Sequence, residues 1–97
     1  MTAWCIVAKI KAKDGKAEDF VKAAKALSAA VNANEPGCLF YELHSTDDPL
    51  QFVFVERYKD EEAMKAHRGY PHFKELGRAM GEFMDGAPEI MRLPQVA

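Results

Sequence analysis

Three side chains in this sequence stand where they could move protons. Glu56 closes the run Phe52-Val53-Phe54-Val55-Glu56 and shares its alternation with Phe54 and Tyr58. If that parity faces a packed layer, a carboxyl sits among aromatic rings and must be paired or protonated. Such a group can act as a general acid or base, or orient one. A Glu near a strand end can equally hydrogen-bond a helix terminus, and periodicity alone leaves both roles open. His67 falls four residues after Ala63, on the inner side of a short helix, and His72 follows the break at Tyr70-Pro71. Imidazole titrates near neutrality and suits proton transfer; the alternative is a half-buried histidine that braces the helical break. Tyr41, Tyr58, Tyr70 and Trp4 could line a pocket beside these groups or fill the core, as could Phe20, Phe40, Phe54, Phe73 and Phe83. His44, beside a hairpin loop, is expected to face solvent.

Other chemistries lack their residues. There is no glycine-rich phosphate loop, no GxSxG and no paired-carboxylate spacing that names a reaction. Cys5 and Cys38 stand apart, with no CxxC or Cys/His run, so they read as two buried thiols and no metal is expected. Thirteen basic residues against fifteen acidic ones give a formal charge of -2, which argues against nucleic acid as the main partner. No apolar run approaches the roughly 20 residues of a membrane helix, and Lys9 and Lys11 interrupt the N-terminal run before a signal-peptide core forms. The expected address is the cytoplasm, with no membrane partner.

The elements that must position the proton-moving groups follow from the periodicity. Residues 3–12 read as a strand ended by Asp14-Gly15. From Lys16 the period changes: Ala17, Phe20, Val21, Ala24, Leu27, Ser28 and Val31 make one stripe of an amphipathic helix, and Glu35-Pro36-Gly37 terminates it. Residues 38–45 and 51–59 read as strands joined through Thr46-Asp47-Asp48-Pro49-Leu50 as a hairpin. Asp60 is a natural N-cap for a short helix carrying Ala63, Met64 and His67. Pro71 opens a further helix with the stripe Phe73, Leu76, Met80, Phe83 and Met84. Residues 89–96 form the last strand, with Pro94 demoting its end.

The order β-α-β-β-α-β predicts an α+β, ferredoxin-like split βαβ domain over residues 1–97, an antiparallel sheet with helices on one face. Both alternation sets of the strands are apolar: Phe40 and Phe54 are assigned to one, Leu39, Leu43, Val53 and Val55 to the other. Two helical regions cover one face only, so the other predicts a homodimer packed sheet to sheet.

With those residues in view, the chain resembles the antibiotic biosynthesis monooxygenase family, in particular its small quinol monooxygenase-like members. The likeness is carried by Glu35-Pro36-Gly37-Cys38, Tyr41-Glu42, Phe54-Val55-Glu56-Arg57-Tyr58, His67 and Pro71-His72-Phe73. The resemblance implies a dimeric α+β barrel and oxidation of quinols or polycyclic phenols with O2, without flavin, haem or metal. By position it makes Glu56 and His67 the polar pocket pair, with His72 nearby and Tyr41, Tyr58 and Phe73 lining the substrate. A haem-degrading branch of the superfamily uses an Asn, a Trp and an axial His where this chain has Ala8, His67 and Gly77, so haem oxygenation is not expected. Tyr58-Lys59-Asp60-Glu61-Glu62, His67 and Pro71-His72-Phe73-Lys74 also resemble the isomerase of the phosphorylated autoinducer-2 signal. A phosphate substrate would call for cations such as Lys9 or Arg57 at the pocket. A non-catalytic dimer that binds a small molecule is the third reading.

Overall fold

The computed structural model describes residues 2–97. Seven elements follow one another: β1 (Trp4–Lys11), α1 (Ala17–Asn34), β2 (Cys38–Ser45), β3 (Gln51–Tyr58), α2 (Glu61–His67), α3 (Pro71–Gly81) and β4 (Glu89–Pro94). The strands form one sheet in the order β2-β3-β1-β4, with every neighbouring pair antiparallel. This is the ferredoxin-like α+β arrangement expected from the element order.

Local chemistry sets the joints. Gly15 has φ +75°, a left-handed conformation that only glycine adopts freely, and it turns β1 towards α1. Glu18 and Asp19 lie in the first turn of α1, where the helix dipole favours negative charge. Asp60 caps α2, its Oδ1 accepting from the Ala63 N–H at 2.8 Å. Pro71 occupies the first turn of α3, a position where its missing N–H costs no helical bond. Gly37 lies so close under α2 that a β-carbon there would meet the Ala63 Cβ at 2.6 Å, which draws the segment after α1 against the underside of α2.

Cross-strand register sorts the side chains into rows. On the helix-covered face, Leu43, Phe54, Ala8 and Ile90 form one row, and Tyr41, Glu56, Ile6 and Arg92 the next. The α1 stripe of Phe20, Ala24, Leu27 and Val31 is fully buried over this face, with Phe20 packing on Phe52 at a ring-centroid distance of 5.1 Å. The opposite face carries the rows Phe40-Arg57-Cys5-Leu93 and Glu42-Val55-Val7-Met91. Among its apolar residues, Met91 and Leu93 are 52% and 42% exposed.

One face assignment is corrected. A bulge shifts the register between Cys38 and Phe40, so Phe40 pairs with Arg57 on the open face and Leu43 joins Phe54 under the helices. The extra residue, Leu39, reverses the alternation of everything after it. The last strand also stops at Pro94 rather than at residue 96. The third helix ends at Gly81, leaving Phe83 and Met84 in the turn beyond it, where Met84 bridges Ala12. Both cysteines are unpaired and half-buried, and His44 is exposed as expected. Among the described residues, no helix is long and apolar enough to cross a membrane.

Candidate active site

The pleat of β3 fixes the position of Glu56. Residues 52, 54, 56 and 58 all point into the covered layer, and each is buried. The carboxyl therefore lies in the aromatic surroundings considered from sequence. Its Oε1 accepts from the Tyr58 hydroxyl at 2.7 Å. Burial raises this carboxyl from an ordinary 4.5 to about 7, reinforced by the nearby Glu35 charge and opposed by the Tyr58 hydrogen bond and the Arg68 guanidinium. Near neutral pH it both takes up and releases a proton.

His67 closes α2 with its ring between Tyr41, Tyr58 and Phe73, at centroid distances of 5.3, 5.7 and 4.4 Å. Its Nδ1 faces the Glu35 carboxylate, 2.9 and 3.0 Å from the two oxygens. His72, in the first turn of α3, places its Nε2 on Glu35 Oε2. Burial pushes the His67 imidazole below its ordinary value, more strongly than the Glu35 contact holds it up. A neutral ring that donates Nδ1–H to Glu35 keeps the lone pair on Nε2, the nitrogen on the opposite side of the ring.

A cavity of about 90 Å³ opens between the sheet and the α2–α3 segment. Ala8, Phe54, Met80 and Ile90 supply apolar wall, Tyr41 and Phe73 supply rings, and Glu56, His67 and Arg68 are its polar or charged members. Of the six residues proposed from sequence, four line this space: Glu56, His67, Tyr41 and Phe73. Tyr58 is fully buried behind it, reaching Glu56 through its hydroxyl. His72 also stands behind the wall, with its side chain 16% exposed and its ring stacked on Tyr70. The tyrosine hydroxyls of Tyr41 and Tyr58 are driven far above their ordinary values, by burial first and then by Glu56, so both stay protonated.

Two residues were not identified from sequence. Glu35 reads there as part of a helix-ending segment and of a family-like motif, with no role in the site, yet it is buried and joins both histidines. Arg68, exposed at the end of α2, is the cation on the cavity. The cations considered for a phosphate lie elsewhere: Lys9 pairs with Glu89 at 3.9 Å and Arg57 donates to Gln95 at 3.0 Å, both on the open face. Among the described residues, no group of three or more His, Cys, Asp or Glu side chains is disposed to hold a metal ion. Burial, with Glu35 and Glu56 nearby, pushes the Cys38 thiol up to about 12, away from the thiolate form a nucleophile needs.

Comparison with known proteins bears on this geometry. The family model for antibiotic biosynthesis monooxygenases matches residues 4–79. The chain belongs to that family. A crystal structure from Caulobacter crescentus, provisionally named an antibiotic biosynthesis monooxygenase, superposes with a TM-score of 0.93 at 39% identity, covering 99% of this chain and 92% of that one. YcnE of Bacillus subtilis, provisionally named a monooxygenase, is 29% identical over 85 residues, 88% of this chain and 90% of its own. Rv0793 of Mycobacterium tuberculosis, likewise provisionally named, is 36% identical over 50 residues, 52% of this chain and half of its own length. The family segment thus runs from the first residue of β1 to near the end of α3 and includes Glu35, Glu56, His67, Arg68 and His72.

Proposed function

We propose that this chain is a monooxygenase that oxidises a quinol or a related electron-rich phenol with O2 in the cavity beneath the helices, as a single-domain subunit of a homodimer. The observation that carries this reading is that His67 and Glu56 line one largely apolar cavity, with Glu35 behind His67. Family membership and the names of the relatives support the oxygenase class. The resemblance to quinol-oxidising members adds the substrate type.

The chemistry needs a base and a dry, orienting pocket. His67 Nε2 takes the phenol proton, and Glu35 stabilises the imidazolium that forms. The electron-rich phenolate gives an electron to O2, and the two radicals join through a new C–O bond to give a peroxide. Loss of the ring C–H proton and cleavage of the O–O bond then leave a carbonyl. One oxygen atom stays in the product, and the other departs with the two released protons as water. Glu56, close to half-protonated at neutral pH, can deliver or collect either proton. In this scheme the substrate phenolate is itself the reductant of O2, and the protein supplies the base, the orientation and the dry pocket.

The open sheet face supports the homodimer. Phe40, Val7, Val55, Met91 and Leu93 form an apolar area that the chain's own helices do not cover. Light scattering at micromolar concentration is expected to give twice the chain mass, and a monodisperse monomer would refute it.

Oxygen uptake with a panel of quinols, with and without chelator, tests the reaction. Chelator-insensitive uptake is expected, falling about 10²- to 10⁴-fold in Glu56→Gln and in His67→Ala. A variant that keeps full turnover removes its residue from the mechanism. Conversion of a phosphorylated hydroxy-diketone without O2 would point to the isomerase, and tight binding without turnover to a binding protein.

A further inference from the structure

We infer that the substrate of this cavity carries an anionic group, a carboxylate or a phosphate, which Arg68 holds at the mouth. This deepens the oxygenase reading and rests on it for the reacting ring, but not for the binding of the acid. Three observations lead there. The first is size. A single benzene ring occupies an engineered cavity of about 150 Å³, whereas this one measures about 90 Å³. A ring that carries further substituents therefore extends past the rim of so small a cavity.

The second observation concerns what waits at the rim. Arg68 is exposed at the end of α2 and still lines the cavity. Its positive charge reaches both Glu56 and His67. No carboxylate of the described residues lies within ion-pair distance of it, whereas Lys9, Lys11, Lys16 and Lys65 each have one. A guanidinium left free beside an apolar wall offers a two-pronged donor set that fits carboxylate or phosphate oxygens.

The third is the charge balance inside. Glu56 would repel an anion if it were fully ionised. Burial instead keeps a substantial part of it protonated at neutral pH, and a bound anion favours that form further. The proton-accepting role then falls to His67, whose paired carboxylate Glu35 lies behind the ring and away from the rim. An acidic quinol is thus oriented head out, with its reacting ring directed towards Nε2.

Isothermal titration under argon, on the full chain, tests this with three probes that share one ring: hydroquinone, 2,5-dihydroxybenzoate and 4-hydroxyphenyl phosphate. At least one of the two acids is expected to bind about tenfold or more tightly than hydroquinone. A larger gain for the phosphate identifies a phosphoryl head group, and a larger gain for the benzoate a carboxylate. In Arg68→Gln the ratio is expected to collapse towards one, while Arg68→Lys, which keeps the charge but not the fork, retains part of it. Equal affinities for all three probes, no binding of any, or an unchanged ratio in Arg68→Gln would each overturn the inference. Binding is read without O2, so the outcomes separate. Acid selectivity without later oxygen uptake defeats the oxygenase reading alone, and hydroquinone oxidation with a flat ratio defeats this inference alone.

Discussion

Beneath the helices, one end of the layer is hydrocarbon: Phe20 packs on Phe52, and Ala24, Leu27 and Ile10 close around them. At the other end the same sheet and the end of α1, now covered by α2, bury Glu35, Glu56 and His67. The two ends share β1, β3 and α1, and the second differs by its polar side chains and by the added helix that brings His67. Apolar burial stabilises at roughly 25 cal/mol per Å², whereas a buried carboxyl stabilises nothing unless it is paired. The first end holds the fold together. The second carries groups that a purely structural core has no use for, and each is answered by a specific partner: Tyr58 for Glu56, and two imidazoles for Glu35.

The largest effect should come from the hydrocarbon end. Phe20→Ala is expected to lower the unfolding free energy by about 3–5 kcal/mol, from lost burial and the cavity left behind. Urea titration measures this, and the His67 ring resonances should stay where they are. If they move with the loss of Phe20, the two ends are one cooperative unit and the contrast fails.

Glu56→Gln should separate the ends by pH. The folded carboxyl sits at about 7 and the unfolded one near 4.5, so the folded state binds the proton more tightly. Its contribution is fully present below pH 4.5 and is lost as pH rises through 7. Over that window, wild-type stability falls relative to the glutamine variant by at most about 1.4 kcal/mol per pH unit. Thermal melts of both proteins at pH 5 and pH 8 should therefore show the variant gaining on the wild type at the higher pH. A constant gap would mean that the carboxyl is not held in a dry site.

The smallest effect is expected on the solvent side of α2. Lys65 lies 3.7 Å from Glu61, one turn away, and both are largely exposed. Lys65→Ala should change stability by no more than about 0.5 kcal/mol. A larger loss in chemical denaturation would show that the outer surface of α2 contributes more than its exposure suggests.

The sequence showed the fold well because strand alternation and helix stripes are local patterns. Asp60 as a cap and Pro71 as a helix start were equally local. Glu56 could be singled out because its parity placed it with Phe54 and Tyr58. The errors have a different origin. The face of Phe40 depends on a bulge at Leu39, and nothing in Cys38-Leu39-Phe40 announces a skipped residue. Glu35 was hidden because its partners are 32 and 37 positions away. A glutamate after a helix and before Pro-Gly reads as punctuation until α2 returns over it. Arg68 caps the end of α2, a place where positive charge is favoured in any helix, so its position in the sequence does not mark it as a cavity residue. Tyr58 was expected beside the substrate, and its inward position one row beyond Glu56 puts it behind the wall instead.

Glu35 follows the last residue of α1, His67 is the last residue of α2, and His72 lies in the first turn of α3. One carboxylate thus ties three helix ends together across two long stretches of chain. Bringing such distant residues together has an entropic cost that other contacts must already have offset. Until then, His67 is an ordinary solvated imidazole with no fixed tautomer. The oriented imidazole is therefore a property of the completed molecule and not of any fragment of it. A nascent or nicked chain could hold every residue of the site and still lack this arrangement, so the tie also decides when in the chain's life the proposed chemistry can begin.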